Sequence, residues 1–395
     1  MPRRASRAEG STRTAEYPTV RLTALSETWR SVDCRAVDAF ENNAQMAVLA
    51  RSATDAAQPI LQTSVWGATH LNVGWFDDVD STLDLAACER LGIQVIRRPF
   101  AGGGTAFYDR GCAVMWGVMF PKPGDHDDLD GEIARFQPIV LDALGRLGLA
   151  EVRFEGSADL RWHGRKLGGI SAGDFGRVIS VGGFLNIVRP DLDLYLRVVR
   201  VPDDKFKDKV VKDMREYVCT AAEVAGRPVN YEQFRDALVG AVDDAGIALD
   251  DRSLTDVEQA ALKKISNRIA TDDSVRRVSS ERFRAEHEAA GRRVGFGNHK
   301  GRKLCRAGVA LDGDGTIAAA MMAGDMHVSP PDTLDRVAAA LAGARASDDG
   351  DLGQRIASVL DAPDVHQADT TTGVTTDDLL AALRKAVDYA KEAPA

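Results

Sequence analysis

Four segments follow one another from Glu151 with only Gly- and Asp-bearing joints between them: EVRFEG, DLRWHGRKLGG, GRVISVGGFLNI and LDLYLRVVRV. Strand formers broken by turn residues predict a run of antiparallel pairs. Earlier strand-like segments are PILQTSVW (59–66), HLNVGWF (70–76), IQVIRR and GCAVMWGVMF (111–120), the last apolar on both faces and therefore central. Helical patterning predicts a helix over 33–53, with Val37, Phe40, Met46 and Leu49 as its stripe, and another from Glu132 to Leu147. Ser81 is expected to cap a short helix that stops at Gly92. From about 203 to 270 the pattern is helical throughout. Mixed strands and helices followed by helices predict an α+β class, with a largely antiparallel mixed sheet flanked by helices.

At 395 residues the chain is too long for one ordinary domain. After Ala270 the sequence becomes polar, charged and glycine-bearing. Beyond it, LCRAGVALDGDGTIAAAMMAGDM reads as two strands around the turn DGDG, and two helices follow. The expected division is a polar tail over 1–17, a main domain over 18–272, a linker over 273–290 and a small α/β domain over 291–395. The tail is basic and lacks the apolar segment of a secretory signal. A net charge of -9 gives no global field for nucleic acid. Cys34, Cys88, Cys112, Cys219 and Cys305 are odd in number and form no C-x-x-C, which points to a reducing, cytoplasmic compartment. No apolar run approaches membrane-spanning length. GDHDDLDGE fails the calcium-loop spacing, and the seven histidines show no metal-ligand spacing.

Two short elements carry chemistry. RRPFAGGGTAFYDRG places Arg97 and Arg98 before Gly102, Gly103 and Gly104. Free backbone N–H groups beside paired guanidiniums suit an anion, and a plain glycine turn between strands is the other reading. It is neither a Walker A loop nor a dinucleotide fingerprint. GRKLGGISAG puts Lys166 among small residues, either as a charge stabiliser for phosphoryl chemistry or as a solvated hairpin lysine.

In order, the two elements resemble the lipoate-protein ligase family, which shares its fold with biotin protein ligases. The matching residues are Arg97, Arg98, the three glycines, Thr105, Ala106, Phe107 and Asp109, then Asp159 in GSADL, and Lys166, Gly169, Ser171 and Ala172 in the lysine loop. Trp66 and Gly74 match the stretch where a Trp precedes a strand ending in Gly. The 291–395 region is similar to the family's accessory domain. Phe100 and Ala101 stand where a Ser or Thr is usual, and Tyr108 and Val181 where the family has His.

The resemblance implies two steps. ATP and lipoate would give lipoyl-adenylate, and the acyl group would pass to a lysine of an acceptor (lipoyl) domain. Lys166 would be the catalytic cation. The glycine run and Arg98, with Arg97 as second choice, would hold phosphate, and Asp159 would help hold Mg²⁺. Trp66, Val73 and Met115 would line an apolar slot. The alternatives are an ATP-independent octanoyl or lipoyl transferase of the same fold, which would need a nucleophilic cysteine, and a non-catalytic acyl-binding relative. Cys112 does not match the position of the transferases' cysteine. His163, near Lys166 in sequence, is a further candidate for lining the site.

Overall fold

The computed structural model describes residues 28–99, 104–122, 124, 128–156, 158–200, 215–367 and 373–392. The expected polar tail, Phe100 to Gly103, His126 and most of the first segment in the 203–270 helical region lie outside them.

An eight-stranded sheet organises the larger part. Its strands in chain order are β1 (Thr28–Val37), β2 (Ile60–Trp66), β6 (Ala113–Pro121), β7 (Arg153–Glu155), β8 (Asp159–Trp162), β9 (Arg165–Asp174), β10 (Val178–Asn186) and β11 (Ala248–Asp251). In space they run β11-β1-β2-β6-β10-β9-β8-β7. β1 pairs in parallel with both β11 and β2, and the remaining pairs are antiparallel. The expected antiparallel run is therefore present from β6 onwards. Its last predicted member is not: LDLYL forms a short helix, Leu192–Leu196, because Asp191 accepts a hydrogen bond from Leu194 N (2.9 Å) and caps it.

The helix expected over 33–53 begins later, at Ala39. Val32 and Val37 are needed in the sheet core, so the chain stays extended to Val37, and Asp38 then caps the helix Ala39–Ala56 through Glu41 N (2.8 Å). Ser81 is not a cap; Asp84 caps Leu85–Arg90 through Ala87 N (2.9 Å).

One sheet face packs Leu61, Val114, Trp116, Val118, Phe120 and Val181 against the helices Leu129–Arg146 and Tyr231–Asp244. Each large apolar side chain buried there contributes about 2 kcal/mol. At one end of the opposite face, Ile60, Met119 and Val178 pack on Leu49 and Ala53 of Ala39–Ala56. A small second sheet, β4 (Gln94–Arg97), β3 (His70–Val73) and β5 (Ala106–Tyr108), has β3 at its centre. Arg30 of β1 forks onto Glu258, at 2.6 and 2.9 Å, tying that strand to the helix Asp256–Ile269. Burial works against that carboxylate, but the Arg30 bonds prevail and hold it at about 2.

The stretch expected as a linker holds the helices Asp272–Val275 and Ser280–Ala289. The segment that follows it, GRRVGFGNHK, supplies β12 (Arg293–Lys300), which pairs with β13 (Leu304–Leu311); β14 (Ile317–Gly324) follows across the expected DGDG turn. Helix Thr376–Glu392 lies directly on β12. A methyl on Gly295 would stand 2.1 Å from Ala386 O, and one on Gly297 2.3 Å from Ala382 O, so only glycine permits this approach. This sheet has its own core, including Val309, Leu334, Val337, Leu383 and Val387. Among the described residues, no helix is long and apolar enough to cross a membrane.

Candidate active site

The site follows from strand register. Residues paired across neighbouring strands share a face. One row runs Ser64, Met115, Phe184, Gly169, Asp159 through β2, β6, β10, β9 and β8. The next runs Gln62, Gly117, Gly182, Ser171. Two glycines and a serine make the second row shallow. Met115, Phe184, Gly182 and Ser171 keep solvent exposure, so the rows form an open trough on the face opposite the main core.

Lys166 stands at the trough's outer end. The β8–β9 register shifts between Leu160 and Arg161, which lets Lys166 Nζ reach Asp159 Oδ1 at 2.7 Å. Its backbone is fixed too, since Cys219 N donates to Lys166 O (2.9 Å). The amine and carboxylate keep 28% and 26% of their side-chain exposure, so a ligand can reach both. Arg161 Nη2 donates to the other oxygen of Asp159 (2.8 Å). Burial pushes the Asp159 carboxyl up, but the bonds from Lys166 and Arg161 outweigh it and hold it below its ordinary value. Among the described residues, no group of three His, Cys, Asp or Glu gathers for a metal. Held between the two cations, Asp159 fixes the direction of the Lys166 amine.

The lysine loop splits between two faces. Gly169 and Ser171 face the trough. Ala172 packs against the main core, so it does not line the site as expected. Val181, standing where the family has His, is fully buried in that same core and leaves the trough unaltered. His163 occupies the β8–β9 hairpin turn at φ 49, 3.6 Å from Glu151.

Of the glycine run only Gly104 is described, two residues before β5. Its carbonyl accepts from Arg98 Nη2. A methyl on Gly104 would stand 3.2 Å from Asp325 Cγ, just after β14, and Gly324 N donates to Phe76 O (2.9 Å). Thr105 Oγ1 donates to Asp77 Oδ2 at 2.8 Å; burial raises the Asp77 carboxyl, the Thr105 bond offsets part of that, and Asp325 raises it further. Arg98 Nε is buried with no partner. Arg98 thus has capacity for an anion.

Arg97 does not. It is 1% exposed and its guanidinium donates to the carbonyls of Gly74, Trp75, Asp77, Ser274, Val275 and Val278, at 2.7 to 3.3 Å. Burial, followed by the charge of Arg277, pulls its pKa down to about 10. The expected ligand role is corrected to a backbone clamp, and Gly74 is one of the carbonyls it holds.

Trp66 closes the inner end of the trough. Its Nε1 donates to Met115 Sδ (2.6 Å), and its ring stacks on Tyr108, centroids 4.2 Å apart. Tyr108 in turn meets His70 edge-on at 4.9 Å. β5 alternates, so Ala106 and Tyr108 share this side, while Phe107 packs away against Tyr195 in a separate core. Val73, expected in the slot, is in that separate core with Leu71; the strand's other face is His70 and Asn72. Sequence reasoning missed His70, Asn72, Ser64, Asp77 and Asp325. The one available signal was the polar alternation in HLNV.

Burial works against the thiolate form at all five cysteines. Burial raises Cys34, Cys112 and Cys305 to about 12 and Cys88 to about 11, and it raises Cys219 as well. Asp109 adds to the effect at Cys112.

Comparisons with known proteins fit this geometry. The family model described as "Lipoyl protein ligase A/B catalytic domain" matches residues 38–243. Lipoate-protein ligase A subunit 1 of Thermoplasma acidophilum is 25% identical over 49% of this chain and 75% of its own. Octanoyltransferase LipM of Kyrpidia tusciae is 23% identical over 62% of this chain and 98% of its own. The crystal structure of P. falciparum LipL1 in complex with lipoate superposes with a TM-score of 0.60 at 13% identity, covering 90% of this chain and 98% of that one, which shows a shared fold. With more than half of the chain matched by the family model, the chain belongs to the lipoyl protein ligase A/B catalytic domain family.

Proposed function

We propose that the chain is an ATP-dependent ligase that activates lipoate or a closely related medium-chain acid and transfers it to a protein lysine. The observation that carries this reading is the Lys166–Asp159 pair at the open end of a small-residue trough. In the first step an oxygen of the acid's carboxylate attacks the α-phosphorus of ATP and pyrophosphate leaves. Lys166 lies where it offsets negative charge from both reactants. Arg98 and the backbone at Gly104 are suited to the phosphates. In the second step the acceptor lysine's neutral amine attacks the acyl carbon, AMP leaves and the amine sheds a proton. We further propose that residues 18–272 form the catalytic unit and 291–395 an accessory unit, whose Asp325 reaches the glycine run.

The second reading is an octanoyltransferase, favoured by the likeness to LipM over nearly that protein's whole length. A cysteine thioester route needs a thiolate, and all five thiols are pushed towards the protonated form. ATP–pyrophosphate exchange with free acid tests the choice. The ligase reading expects acid-dependent exchange that Lys166→Ala abolishes. Acyl transfer from acyl carrier protein without ATP, and no exchange with any acid, would replace it with the transferase reading.

A further inference from the structure

Three polar side chains at the inner end of the trough have no partner for one atom each. His70 is 0% exposed, Ser64 0% and Asn72 3%. His70 Nδ1 lies 2.8 Å from Ala68 O. A carbonyl only accepts, so Nδ1 carries the proton. Burial lowers the His70 pKa and keeps the ring neutral, which leaves Nε2 a bare acceptor with nothing to accept from. Asn72 Nδ2 donates to Asn43 Oδ1 at 2.9 Å, and Asn43 Nδ2 donates onward to Ala39 O at 2.9 Å. This chain of donors fixes the amide orientation, so Asn72 Oδ1 is a second bare acceptor. Ser64 Oγ, on the trough face of β2, is also without a partner.

His70 and Asn72 alternate with the core-facing Leu71 and Val73, so both point to the side of β3 that carries Tyr108 and Ala106. Tyr108 links His70 to Trp66, and Trp66 touches Met115, the strand partner of Ser64. A slot for a purely hydrocarbon tail would place Leu or Val at these positions, because each orphaned buried acceptor costs stability. The Trp66 indole N–H donates to a thioether, a weak acceptor.

We propose that the inner end of the trough recognises an acid whose far end carries hydrogen-bond donors, either O–H or N–H groups or the two S–H groups of a reduced dithiol. This rests on the ligase reading of the same site. The carboxylate lies by Lys166 and the tail crosses β10 and β6 beneath Trp66, roughly 14 Å from Gly169 to Ser64 at the usual strand spacing. The donors then meet His70 Nε2 and Asn72 Oδ1. A site built to be satisfied by donors rejects the analogue that lacks them, here by on the order of tenfold to a hundredfold in kcat/KM.

The experiment is ATP–pyrophosphate exchange on the full chain with octanoate, ω-hydroxyoctanoate, lipoate, dihydrolipoate and biotin. The expected result is that ω-hydroxyoctanoate, dihydrolipoate or biotin exceeds octanoate and oxidised lipoate at least tenfold. Which of the three leads separates hydroxyl, dithiol and ureido donors. Asn72→Leu is expected to bring the ratio of kcat/KM between the donor-bearing acid and octanoate towards one, and His70→Leu serves as a second variant should Asn72→Leu fail to fold. Octanoate or oxidised lipoate matching the donor-bearing acids would overturn the proposal and leave the ligase reading standing. No exchange with any acid would remove the ligase reading and the proposal with it.

Discussion

Two regions that look equally catalytic in the sequence are built for opposite purposes. At Arg97 every donor direction is spent on backbone carbonyls from two distant segments, and the side chain is shut off from solvent. At Lys166 a single carboxylate partner holds the amine at a partly exposed strand edge, and a ligand can compete for it. A cation bound to six carbonyls is a scaffold; on the ligase reading, a cation bound to one carboxylate beside a trough is a reagent. Arg97 and Arg98 are neighbours in sequence, yet Arg97, the last residue of β4, enters the clamp, while Arg98 just past the strand keeps an unpaired nitrogen and donates to Gly104.

The largest expected effect breaks the comparison at the reagent. Lys166→Ala lowers the rate of pyrophosphate exchange by on the order of a thousandfold or more. The melting temperature barely moves, because the amine is partly solvated; a large thermal shift would make Lys166 structural instead. Arg97→Ala reverses the pattern, costing about 4 kcal/mol in denaturant unfolding through stranded carbonyls. Unchanged stability would dissolve the clamp.

Glu258→Gln probes a second buried arginine in a scaffold role and costs about 3 kcal/mol at neutral pH. Its carboxyl is depressed from 4.5 to about 2 by the Arg30 bonds acting against burial. The pair's stabilisation is therefore complete above pH 4.5 and fades as the pH falls towards about 2. The variant and parent unfolding curves should converge across that window, and curves still apart at its lower end would refute the assignment.

The smallest effect is Asp159→Asn, which should lower kcat by about tenfold, with KM for the acid less affected, because Lys166 loses its aim. The Asp159 carboxyl lies below its ordinary 3.8, so protonation of this pair removes activity only below that pH. The acidic limb it contributes to the rate profile should vanish in the variant; an unchanged profile would remove Asp159 from the positioning role.

The sheet order from β6 to β8, the DGDG turn and the placing of Lys166 between paired strands were legible because each rests on local chemistry: alternation, turn residues, or a lysine among glycines. The rest depended on contacts far apart in sequence. Nothing near Arg97 announces that residues 274–278 will supply its acceptors. Nothing near Ala172 says which strand face the main core will occupy. Val37 and the LDLYL segment were misassigned because periodicity reads nearly alike in short apolar stretches, and a single capping aspartate, Asp38 or Asp191, decided each case. The polar alternation of His70 and Asn72 was visible, but its meaning needed the aromatic neighbours that the fold brings in.

The parallel ladder between β1 and β11 joins Thr28 to Ala248 and Ser31 to Asp251. Its consequence falls on the order of synthesis. While the ribosome is still making the chain, β1 can lean on β2 but must wait more than two hundred residues for its other neighbour. Through that interval its outer edge offers unpaired amides to any other nascent strand. A chain truncated before Ala248 would keep Lys166 and the trough and still carry that open edge, so its yield would be limited by self-association before its chemistry was ever tested.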